Sequence, residues 1–355
     1  KPLDGFDLER TALEVVRGEG NFYVIAGPGA GKTELLAQKV SYLLQTGLCV
    51  PPRRILALSY KKDAEKNLKD RVTRRIGKEL ASRFTSLTYD AFAKQLLDRF
   101  SAALPEIYRP NPDYEIATNI SEIFSEMIGR SLSQMEKADL FERFIREIKS
   151  LPLNEQGKEK VADTKIEEKR VWIKMIRGSG SIKVSKLTFP VITVLTEYII
   201  RTNPNIWKAL SLTYSHILLD EFQDTTKANY ALIKTCFLES NCSVTAVGDD
   251  KQRIMLWAGA YKEVFNDFEK DFQAARKTLV TNFRSAPRLI MLQRRIAELM
   301  GKDDHDVLAS PKWGKDDGIC ELYLFNGPEQ EAEVIADKVA SFIKTEGLKP
   351  RDICF

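Results

Sequence analysis

The sequence predicts an α/β protein built on a parallel β-sheet. Four short apolar runs rich in strand-forming residues recur along the chain, at residues 21–27, 54–60, 215–220 and 243–249. Helical patterns follow the first two runs, and another helical pattern separates the last two. Strands that alternate with helices favour parallel pairing through right-handed crossovers. We therefore expect one sheet wound by helical connections.

Each element follows from residue type and spacing. The run NFYVIAG is apolar and ends in glycine, which predicts a buried strand, and a helix begins at about Thr33. The run RILALSY is the second strand. The helix after it is amphipathic, with apolar residues at every fourth position: Ala64, Leu68, Val72 and Ile76. A helix from about Lys227 to Leu238 joins the third and fourth strands.

The pattern divides the chain into three regions. Residues 1–100 and 205–279 carry the alternation of strands and helices, so we assign them to one α/β domain. Between residues 101 and 204 helical periodicity dominates, which predicts an inserted all-helical subdomain. Residues 280–355 begin a new α/β unit, with helices at APRLIMLQRRIAELM and EQEAEVIADKVASFIK and strands at ICELYLF and DICF. A strand at the last residues predicts a second domain that is cut short.

Composition is that of an ordinary globular protein. Of the 355 residues, 43% are hydrophobic and 29% are charged, and the formal net charge is +4. No apolar run approaches the roughly 18 residues of a membrane span, so no membrane partner is expected. The five cysteines contain no CxxC pair, which favours a reducing compartment, the cytoplasm. With only His216 and His305 present, histidine-based metal or triad chemistry is not expected.

Two segments are rich in lysine and arginine, at residues 60–78 and 158–186. Either could lie along a phosphate backbone. Acidic residues are interleaved in both, so each could equally form a solvated helix face. Charge alone leaves both interpretations open.

The segment AGPGAGKTELL (26–36) stands between the first strand and its helix, as a phosphate-binding loop does. Its backbone N–H groups can turn toward phosphate oxygens along four residues, Gly27, Gly29, Ala30 and Gly31. Lys32 can reach the β- and γ-phosphates, and Thr33 can ligate Mg²⁺. The general pattern has glycine where this chain has Ala26. The alternative is a glycine turn without function.

The segment ILLDEFQDTT (217–226) places three carboxylates directly after a buried strand. Clustered carboxylates repel one another, so the cluster needs solvent or a cation. Beside a phosphate loop, Asp220 can hold the magnesium ion and Glu221 can deprotonate the attacking water. Asp224 either joins this site or caps the following helix, and the sequence leaves the two roles equally open.

Four motifs occur in order: AGPGAGKT, LLDEFQDT, VGDDKQRIMLWAGA (247–260) and TNFRSAP (281–287). Together they closely resemble the UvrD/Rep family of superfamily 1 helicases over about residues 6–300. LALSYKKDAEKNLKDRV is similar to motif Ia of that family and FTSLTYDAFAKQLL to motif Ib. The resemblance implies a P-loop NTPase (RecA-like) domain 1A, a helical subdomain 1B at residues 101–204 and the start of a second RecA-like domain, 2A.

The resemblance also implies cofactors and roles. ATP and Mg²⁺ would be the cofactors. Gln252 would sense the γ-phosphate, Arg284 would stabilise transition-state charge, and Phe283 would stack on adenine. Glu9 stands where relatives have a glutamine that reads the adenine edge, and Glu34 stands where relatives commonly have an arginine.

The partner implied is single-stranded DNA, or DNA with a single-stranded tail. Trp257 would stack on a base, which is a sequence-tolerant contact. The strand would also pass four residues of motifs Ia and Ib: Ser59, Tyr60, Lys61 and Thr88. The chain departs from the family's usual residues at three further positions, Asp90, Met255 and Ala258.

The leading hypothesis is the motor half of an ATP-dependent DNA helicase or translocase, moving 3′ to 5′ by resemblance. One alternative is a helicase-like ATPase that regulates a nuclease or defence complex. Another is a binding module that has lost ATP turnover. Family motifs V and VI and the inserted 2B domain are absent from the sequence, so we expect a fragment that binds nucleotide more readily than it hydrolyses it.

Overall fold

The computed structural model describes residues 8–118, 120–128, 133–150, 167–178, 184–253, 255, 259–299 and 307–354. The helices in this part of the chain are α1 (Arg10–Arg17), α2 (Lys32–Gln45), α3 (Lys62–Ala81), α4 (Tyr89–Phe100), α5 (Ile120–Ile128), α6 (Gln134–Ser150), α7 (Glu167–Arg177), α8 (Phe189–Thr202), α9 (Pro204–Thr213), α10 (Lys227–Phe237), α11 (Val264–Phe272), α12 (Pro287–Leu299) and α13 (Pro328–Thr345). The strands are β1 (Phe22–Ala26), β2 (Arg54–Ser59), β3 (Phe84–Thr88), β4 (Glu115–Ile116), β5 (Lys186–Leu187), β6 (Tyr214–Leu219), β7 (Ser243–Gly248), β8 (Ala275–Leu279), β9 (Thr281–Asn282) and β10 (Leu308–Ala309).

A six-stranded sheet forms the centre of the fold, in the order β3-β2-β6-β7-β1-β8. Every pairing in it is parallel, which confirms the predicted α/β class. Strands β6, β7 and β1 are neighbours, and each is followed by a predicted site segment. Because parallel strands end at the same edge, these three segments emerge side by side, the usual ligand position in open α/β sheets.

The sheet is buried on both faces. Side chains alternate along a strand, so Tyr23 of β1 packs into one apolar cluster while Val24 packs into the other. Helices α1, α2 and α3 cover the face of Val24. Helices α4, α8, α10 and α11 contribute to the cluster of Tyr23. Two covered faces explain why the inner strands are almost continuously apolar.

Helix α8 anchors the mainly helical segment between α4 and β6. Residues 191–200 of α8 are buried along its whole circumference, as expected for a helix enclosed by neighbours. Its Thr196 hydroxyl donates to the carbonyl of Ala93 in α4 at 2.9 Å. Trp172 of α7 packs edge-on against Tyr108, with ring centroids 5.4 Å apart. The two-residue strands β4 and β5 pair within the same segment.

The chain divides into two compact units. The first comprises the described residues of Lys1–Arg284 and Asp306–Ser310, and the second those of Ser285–His305 and Pro311–Phe355. Within the second unit, α12 and α13 lie where helices were predicted.

Both strand predictions for the second unit are wrong within the described residues, which exclude Phe355. The run ICELYLF (319–325) contains no strand, and its Leu322 and Leu324 are 87% and 88% exposed. At the predicted final strand, Pro350–Asp352 forms a short 3₁₀ turn. A strand requires a hydrogen-bonded neighbour, and no described residue of the second unit pairs with 319–325. Apolar, strand-forming composition alone does not provide that neighbour.

Candidate functional site

The glycine-rich loop wraps the junction between β1 and α2. Gly29 and Gly31 adopt positive φ angles of 75° and 83°, which favour glycine. Gly31 is the N-cap residue of α2, so the loop leads directly into the positive end of that helix. The N–H of Ala30 donates to the carbonyl of Gly27 at 3.2 Å. This is the backbone arrangement that binds phosphate groups.

Lys32 stands between the loop and the carboxylates. Its ammonium Nζ donates to the carbonyl of Ala26 at 3.3 Å and lies 3.9 Å from Oε2 of Glu221. The Lys32 side chain is 12% exposed and the Glu221 side chain 37%. The structure therefore brings the predicted phosphate-binding lysine and the predicted base together.

Asp220 lies buried at the carboxyl end of β6, with 2% of its surface exposed. Burial and, after it, the Glu221 charge raise the pKa of its carboxyl to about 6. The N–H of Glu221, which donates to Asp220 Oδ1 at 3.0 Å, and the Lys32 ammonium act in the opposite direction. A cation held here would remove the electrostatic cost of this buried carboxylate.

Glu221 occupies a strained backbone conformation. Its φ and ψ angles of 46° and 48° are left-handed, which is uncommon for residues with a Cβ. The conformation is fixed on both sides, because the N–H of Glu221 donates to Asp220 and its carbonyl accepts from the N–H of Asp224 at 2.9 Å. Local strain of this kind concentrates at functional sites.

Asp224 does not cap the following helix, so that alternative is wrong. Thr226 is the N-cap of α10, and its hydroxyl oxygen accepts the N–H of Asn229 at 3.2 Å. Asp224 instead lies in the short 3₁₀ turn Phe222–Asp224 and is 8% exposed. Burial, followed by the Glu221 charge, raises the pKa of its carboxyl.

The segment 281–284 packs against the glycine-rich loop and is hydrogen-bonded to it. The N–H of Phe283 donates to the carbonyl of Gly29 at 2.9 Å, and the N–H of Arg284 donates to Oδ1 of Asn282 at 2.9 Å. A Cβ at Gly29 would lie 2.4 Å from Asn282 Oδ1 and 2.7 Å from Arg284 Cβ. This contact gives Gly29 a second reason to be glycine. The Arg284 side chain is exposed.

Two glutamates that replace the family's usual residues have definite partners. Glu9, the N-cap residue of α1, accepts the backbone N–H groups of Val280 at 3.3 Å and Thr281 at 2.8 Å. Glu34 forms ion pairs with Arg71 at 3.1 Å and Arg75 at 2.5 Å. Both carboxylates therefore join separate segments of the first unit.

The residues predicted to contact DNA lie at the ends of β2 and β3. Ser59 and Thr88 are register partners and are both buried. The Ser59 hydroxyl donates to the carbonyl of Lys61 at 3.3 Å, and the Thr88 hydroxyl oxygen accepts the N–H of Ala91 at 3.1 Å. Tyr60 is half-buried, and burial raises the pKa of its hydroxyl. Lys61 is exposed at the start of α3.

The phosphate loop, the DEFQDT segment and the TNFR segment thus meet at one edge of the sheet. The sequence profile of the UvrD/REP helicase N-terminal domain matches residues 8–273. The chain belongs to this family. The resemblance found in the four motifs is confirmed.

The chain is 25% identical over 342 residues to a probable DNA helicase II homolog of Mycoplasma capricolum, covering 93% of this chain and 46% of that protein. It is 25% identical over 352 residues to the ATP-dependent DNA helicase PcrA of Bacillus subtilis, with coverages of 94% and 45%. Against the ATP-dependent DNA helicase Rep of Escherichia coli, identity is 26% over 286 residues, with coverages of 79% and 41%. The chain spans about half the length of the curated relatives it matches.

For two predicted residues, Gln252 and Trp257, the described structure shows no side-chain contact with the glycine-rich loop or the DEFQDT segment. Gln252 is exposed, and its backbone N–H donates to the carbonyl of Asp249 at 3.3 Å. Trp257 lies outside the described residues, as do residues 158–166 and 179–183 of the basic segment. The roles given to both residues by family resemblance stay predictions.

Sequence reasoning missed two polar residues of the edge. Gln223 is 4% exposed, donates to Oε2 of Glu221 at 2.9 Å and accepts the N–H of Asp249 at 2.9 Å. Asp249 is 2% exposed, burial raises its pKa, and its Oδ2 has no hydrogen-bond partner among the described residues. The signal for both was their position: Asp249 directly follows β7, and Gln223 lies four residues after the end of β6.

The donor set fits a magnesium ion that shares its coordination with phosphate. The described residues contain no group of three or more His, Cys, Asp and Glu side chains able to enclose a metal. Mg²⁺ is usually bound by one or two carboxylates together with substrate phosphates and water. A buried carboxylate at Asp220 and a hydroxyl at Thr33 match that requirement. In the described part of the chain, no helix combines the length and apolarity needed to cross a membrane.

Proposed function

We propose that this chain is the N-terminal motor portion of an ATP-dependent DNA helicase. It would couple hydrolysis of Mg-ATP to movement on single-stranded DNA, in the 3′ to 5′ direction that the family resemblance implies. Family membership supports this function, and the names of the matched relatives agree with it. The observation that carries the proposal is the ion pair of Lys32 with Glu221, at 3.9 Å, beside the glycine-rich loop.

Charge explains why this pair suits a nucleotide. In the described structure the Lys32 ammonium has only a carbonyl and one distant carboxylate oxygen as acceptors. A triphosphate offers stronger, charged acceptors. Backbone N–H groups of Gly29, Ala30 and Gly31 would surround the phosphates, and Phe283 would stack on the adenine. Glu9 would lie near the base, although its two oxygens already hold backbone N–H groups.

Asp220 and Thr33 would hold the magnesium ion. When bound, Mg²⁺ bridges phosphate oxygens and neutralises the charge that develops on them. The raised pKa of Asp220 is consistent with a carboxyl designed to meet a cation, since a nearby positive charge favours ionisation.

Glu221 would accept a proton from the attacking water, and Arg284 would stabilise negative charge on the transferred phosphoryl group. The TNFR segment is tied to the phosphate loop through Phe283 and Gly29 at 2.9 Å, so the backbone of Arg284 is held beside that loop. Gln252 would respond to the γ-phosphate from the end of β7.

Single-stranded DNA, or DNA with a single-stranded tail, would pass the ends of β2 and β3. Lys61 is exposed and can contact a phosphate, whereas Tyr60 offers a ring for stacking. Ser59 and Thr88 are occupied by backbone hydrogen bonds, so they would mainly shape this surface. Trp257 would add a second stacking contact. All five cysteines are free thiols, in keeping with a proposed cytoplasmic location.

Steady-state ATP hydrolysis, with and without single-stranded DNA, tests the proposal. It should be measured for this chain and for any longer form of the protein that carries it, with Lys32→Ala as control. We expect Mg-ATP binding by both forms, turnover stimulated by DNA in the longer one, and neither in the Lys32→Ala variant. Near-normal turnover by Lys32→Ala would overturn the proposed mechanism.

A further inference from the structure

The buried side chain of Gln223 bridges two strand ends at the edge described above. Its amide Nε2 donates to Oε2 of Glu221 at 2.9 Å, at the end of β6. Its carbonyl Oε1 accepts the backbone N–H of Asp249 at 2.9 Å, at the end of β7. One planar amide therefore joins the predicted base to the backbone of Asp249, the third residue of the next motif.

We propose that Gln223 is a positioning residue that sets the orientation of the Glu221 carboxylate according to the backbone position of Asp249. This inference rests on the proposed function, because it assumes that Glu221 accepts the proton. It adds a residue and a structural link to that reaction.

Glu221 needs such a partner. Its backbone is held in the left-handed region, but its long side chain is 37% exposed. Among the described residues, its two contacts, from Gln223 and Lys32, both engage Oε2. Oε1 is thus left to accept a proton. A carboxylate fixed at one oxygen presents the other in a constant direction, which general-base catalysis requires.

An amide of this length meets both demands without depending on pH. A glutamine side chain has an N–H₂ donor for the carboxylate and a carbonyl acceptor for the backbone N–H. An ionised glutamate could accept from Asp249 but would repel Glu221. A methionine would fill similar space with neither strong donor nor strong acceptor.

The seat of Gln223 is tightly packed. A Cβ at Gly248 would lie 2.5 Å from Gln223 Oε1 and 2.9 Å from the Phe265 ring. The adjacent Phe222 packs edge-on against Phe265, with ring centroids 5.3 Å apart. Gln223 cannot follow a movement of the β7 end by sliding into empty space, so such a movement would change its hydrogen bonds.

The loop after β7 could transmit its own movement to Glu221 through Gln223. Asp249 begins the segment that contains Gln252, and the Gln252 N–H donates back to the Asp249 carbonyl at 3.3 Å. A rearrangement of this segment on binding phosphate or DNA would shift the Asp249 N–H and, through Gln223, the Glu221 carboxylate. Loss of Gln223 should therefore lower the rate of ATP turnover more than it lowers the affinity for nucleotide.

Two variants test this, Gln223→Met and Gln223→Glu, in the form of the protein that hydrolyses ATP. Loss of a partner that orients a catalytic group typically costs about 10- to 100-fold in activity, and we expect that loss in kcat with little change in KM for ATP. Gln38→Met is the matched control, because it removes another buried glutamine's 2.9 Å hydrogen bond to a glutamate, Glu34. We expect that control to retain near-normal kcat.

The pH profile separates positioning from general damage. At low pH the carboxyl introduced by Gln223→Glu is protonated and can donate to Glu221, as the amide does. The ratio of its kcat to that of the wild type should rise as pH falls from about 8.5 to about 6. The ratio for Gln223→Met should stay flat, since methionine does not titrate.

The outcomes divide clearly. The inference is overturned if both variants keep wild-type kcat, or if kcat falls only in parallel with ATP affinity and melting temperature. A flat pH ratio for Gln223→Glu also contradicts it. Glu221→Gln, measured alongside, reports on the proposed function itself: full turnover by that variant would overturn both, whereas its loss combined with active Gln223 variants overturns the inference alone.

Discussion

The two ends of strand β6 both enclose titratable side chains, and they offset the cost in different ways. Near the amino end, burial lowers the pKa of His216 to about 4, and the charges of Lys39 and Arg53 act in the same direction. Just beyond the carboxyl end, burial raises the pKa of Asp220 to about 6. In both places the low-dielectric interior disfavours the charged form. The two regions differ in whether their buried polar groups have hydrogen-bond partners.

At the amino edge, arginines satisfy backbone carbonyls. Arg53 Nη2 donates to the carbonyls of Ser211 at 2.8 Å and Tyr214 at 2.9 Å. Arg83 Nη2 donates to the carbonyl of Arg53 at 2.7 Å and also bonds to Cys49. These contacts join chain segments far apart in sequence, so this edge stabilises the sheet.

At the carboxyl edge of the sheet, several carboxylates lie close together, and some of their oxygens have no hydrogen-bond partner among the described residues. Asp249 Oδ2 and Asp224 Oδ1 are buried and have no hydrogen-bond partner among the described residues. Glu221 adds a strained backbone. Functional sites commonly carry such local violations of good packing and pairing. Substitutions should therefore destabilise the protein at the amino edge, and can stabilise it at the carboxyl edge while abolishing activity.

Glu221→Gln should give the largest effect. It keeps the shape of the side chain but removes the base, so ATP turnover should fall by about 10²- to 10⁴-fold while nucleotide binding persists. The free energy of unfolding should stay the same or rise, because a charge beside Asp220 is removed. Parallel measurements of hydrolysis and chemical denaturation check this. A large loss of stability would contradict the contrast between the edges.

Arg83→Met should have the opposite effect: it should lower stability without weakening nucleotide binding. It leaves the carbonyls of Cys49 and Arg53 without their charged donor, so the free energy of unfolding should fall by about 2–4 kcal/mol. Below its lowered melting temperature, the variant should bind Mg-ATP as the wild type does. Urea denaturation and nucleotide titration provide the measurements, and weakened nucleotide binding at full stability would break the comparison.

His216 should make stability depend on pH. Its folded pKa of about 4 lies below the ordinary value of 6.5, so the unfolded chain binds protons first. Its contribution is present above about pH 6.5 and is lost as pH falls through about 4, a change of about 2–3 kcal/mol. Denaturation of the wild type and His216→Leu across this range tests it: the slope due to this residue should disappear in the variant.

Asp220→Asn should stabilise the metal-free protein modestly. The folded pKa of Asp220 is raised above 3.8, so its favourable contribution exists below about pH 3.8 and is lost as pH rises through about 6. At pH near 8 the variant should gain about 1–2 kcal/mol, and the gain should vanish below pH near 4. Asparagine can still accept the Glu221 N–H. Destabilisation at pH near 8, measured without Mg²⁺, would contradict the charge argument.

Lys61→Ala should have the smallest effect. Lys61 is exposed, so its loss should leave stability unchanged and weaken DNA binding similarly for all sequences. The slope of log affinity against log salt should become shallower by about one. Lys66→Ala, at another exposed position of α3, is the matched control. Equal effects of the two variants would show that Lys61 has no special place on the DNA surface.

The sequence predicted the central fold well because its inner strands are buried on both faces and therefore uniformly apolar. The edge strands β3 and β8 escaped prediction, since their burial is partial and their composition is mixed. The run 319–325 failed for the opposite reason. It has strand composition, but no described residue of the second unit pairs with it.

At the site, local motifs predicted the residue types but not their cross-connections. The pairing of Glu9 with Val280 and Thr281 spans more than 250 residues, and no local pattern announces it. The bond from Asp249 to Gln223 likewise depends on two strands becoming neighbours. Asp224 was a possible cap in the sequence because aspartate is a good N-cap residue, but the helix begins later and Thr226 is its N-cap.

The most direct test is ligand-linked stability. Titrating a non-hydrolysable ATP analogue with Mg²⁺ should raise the free energy of unfolding of the wild-type chain, because ligand that binds only the folded state stabilises it, by about 2.7 kcal/mol at 100 times its Kd. The same titration should have almost no effect on Lys32→Ala, whose ammonium is lost from the loop. Equal stabilisation of both proteins would contradict the assignment of the carboxyl edge as the nucleotide site.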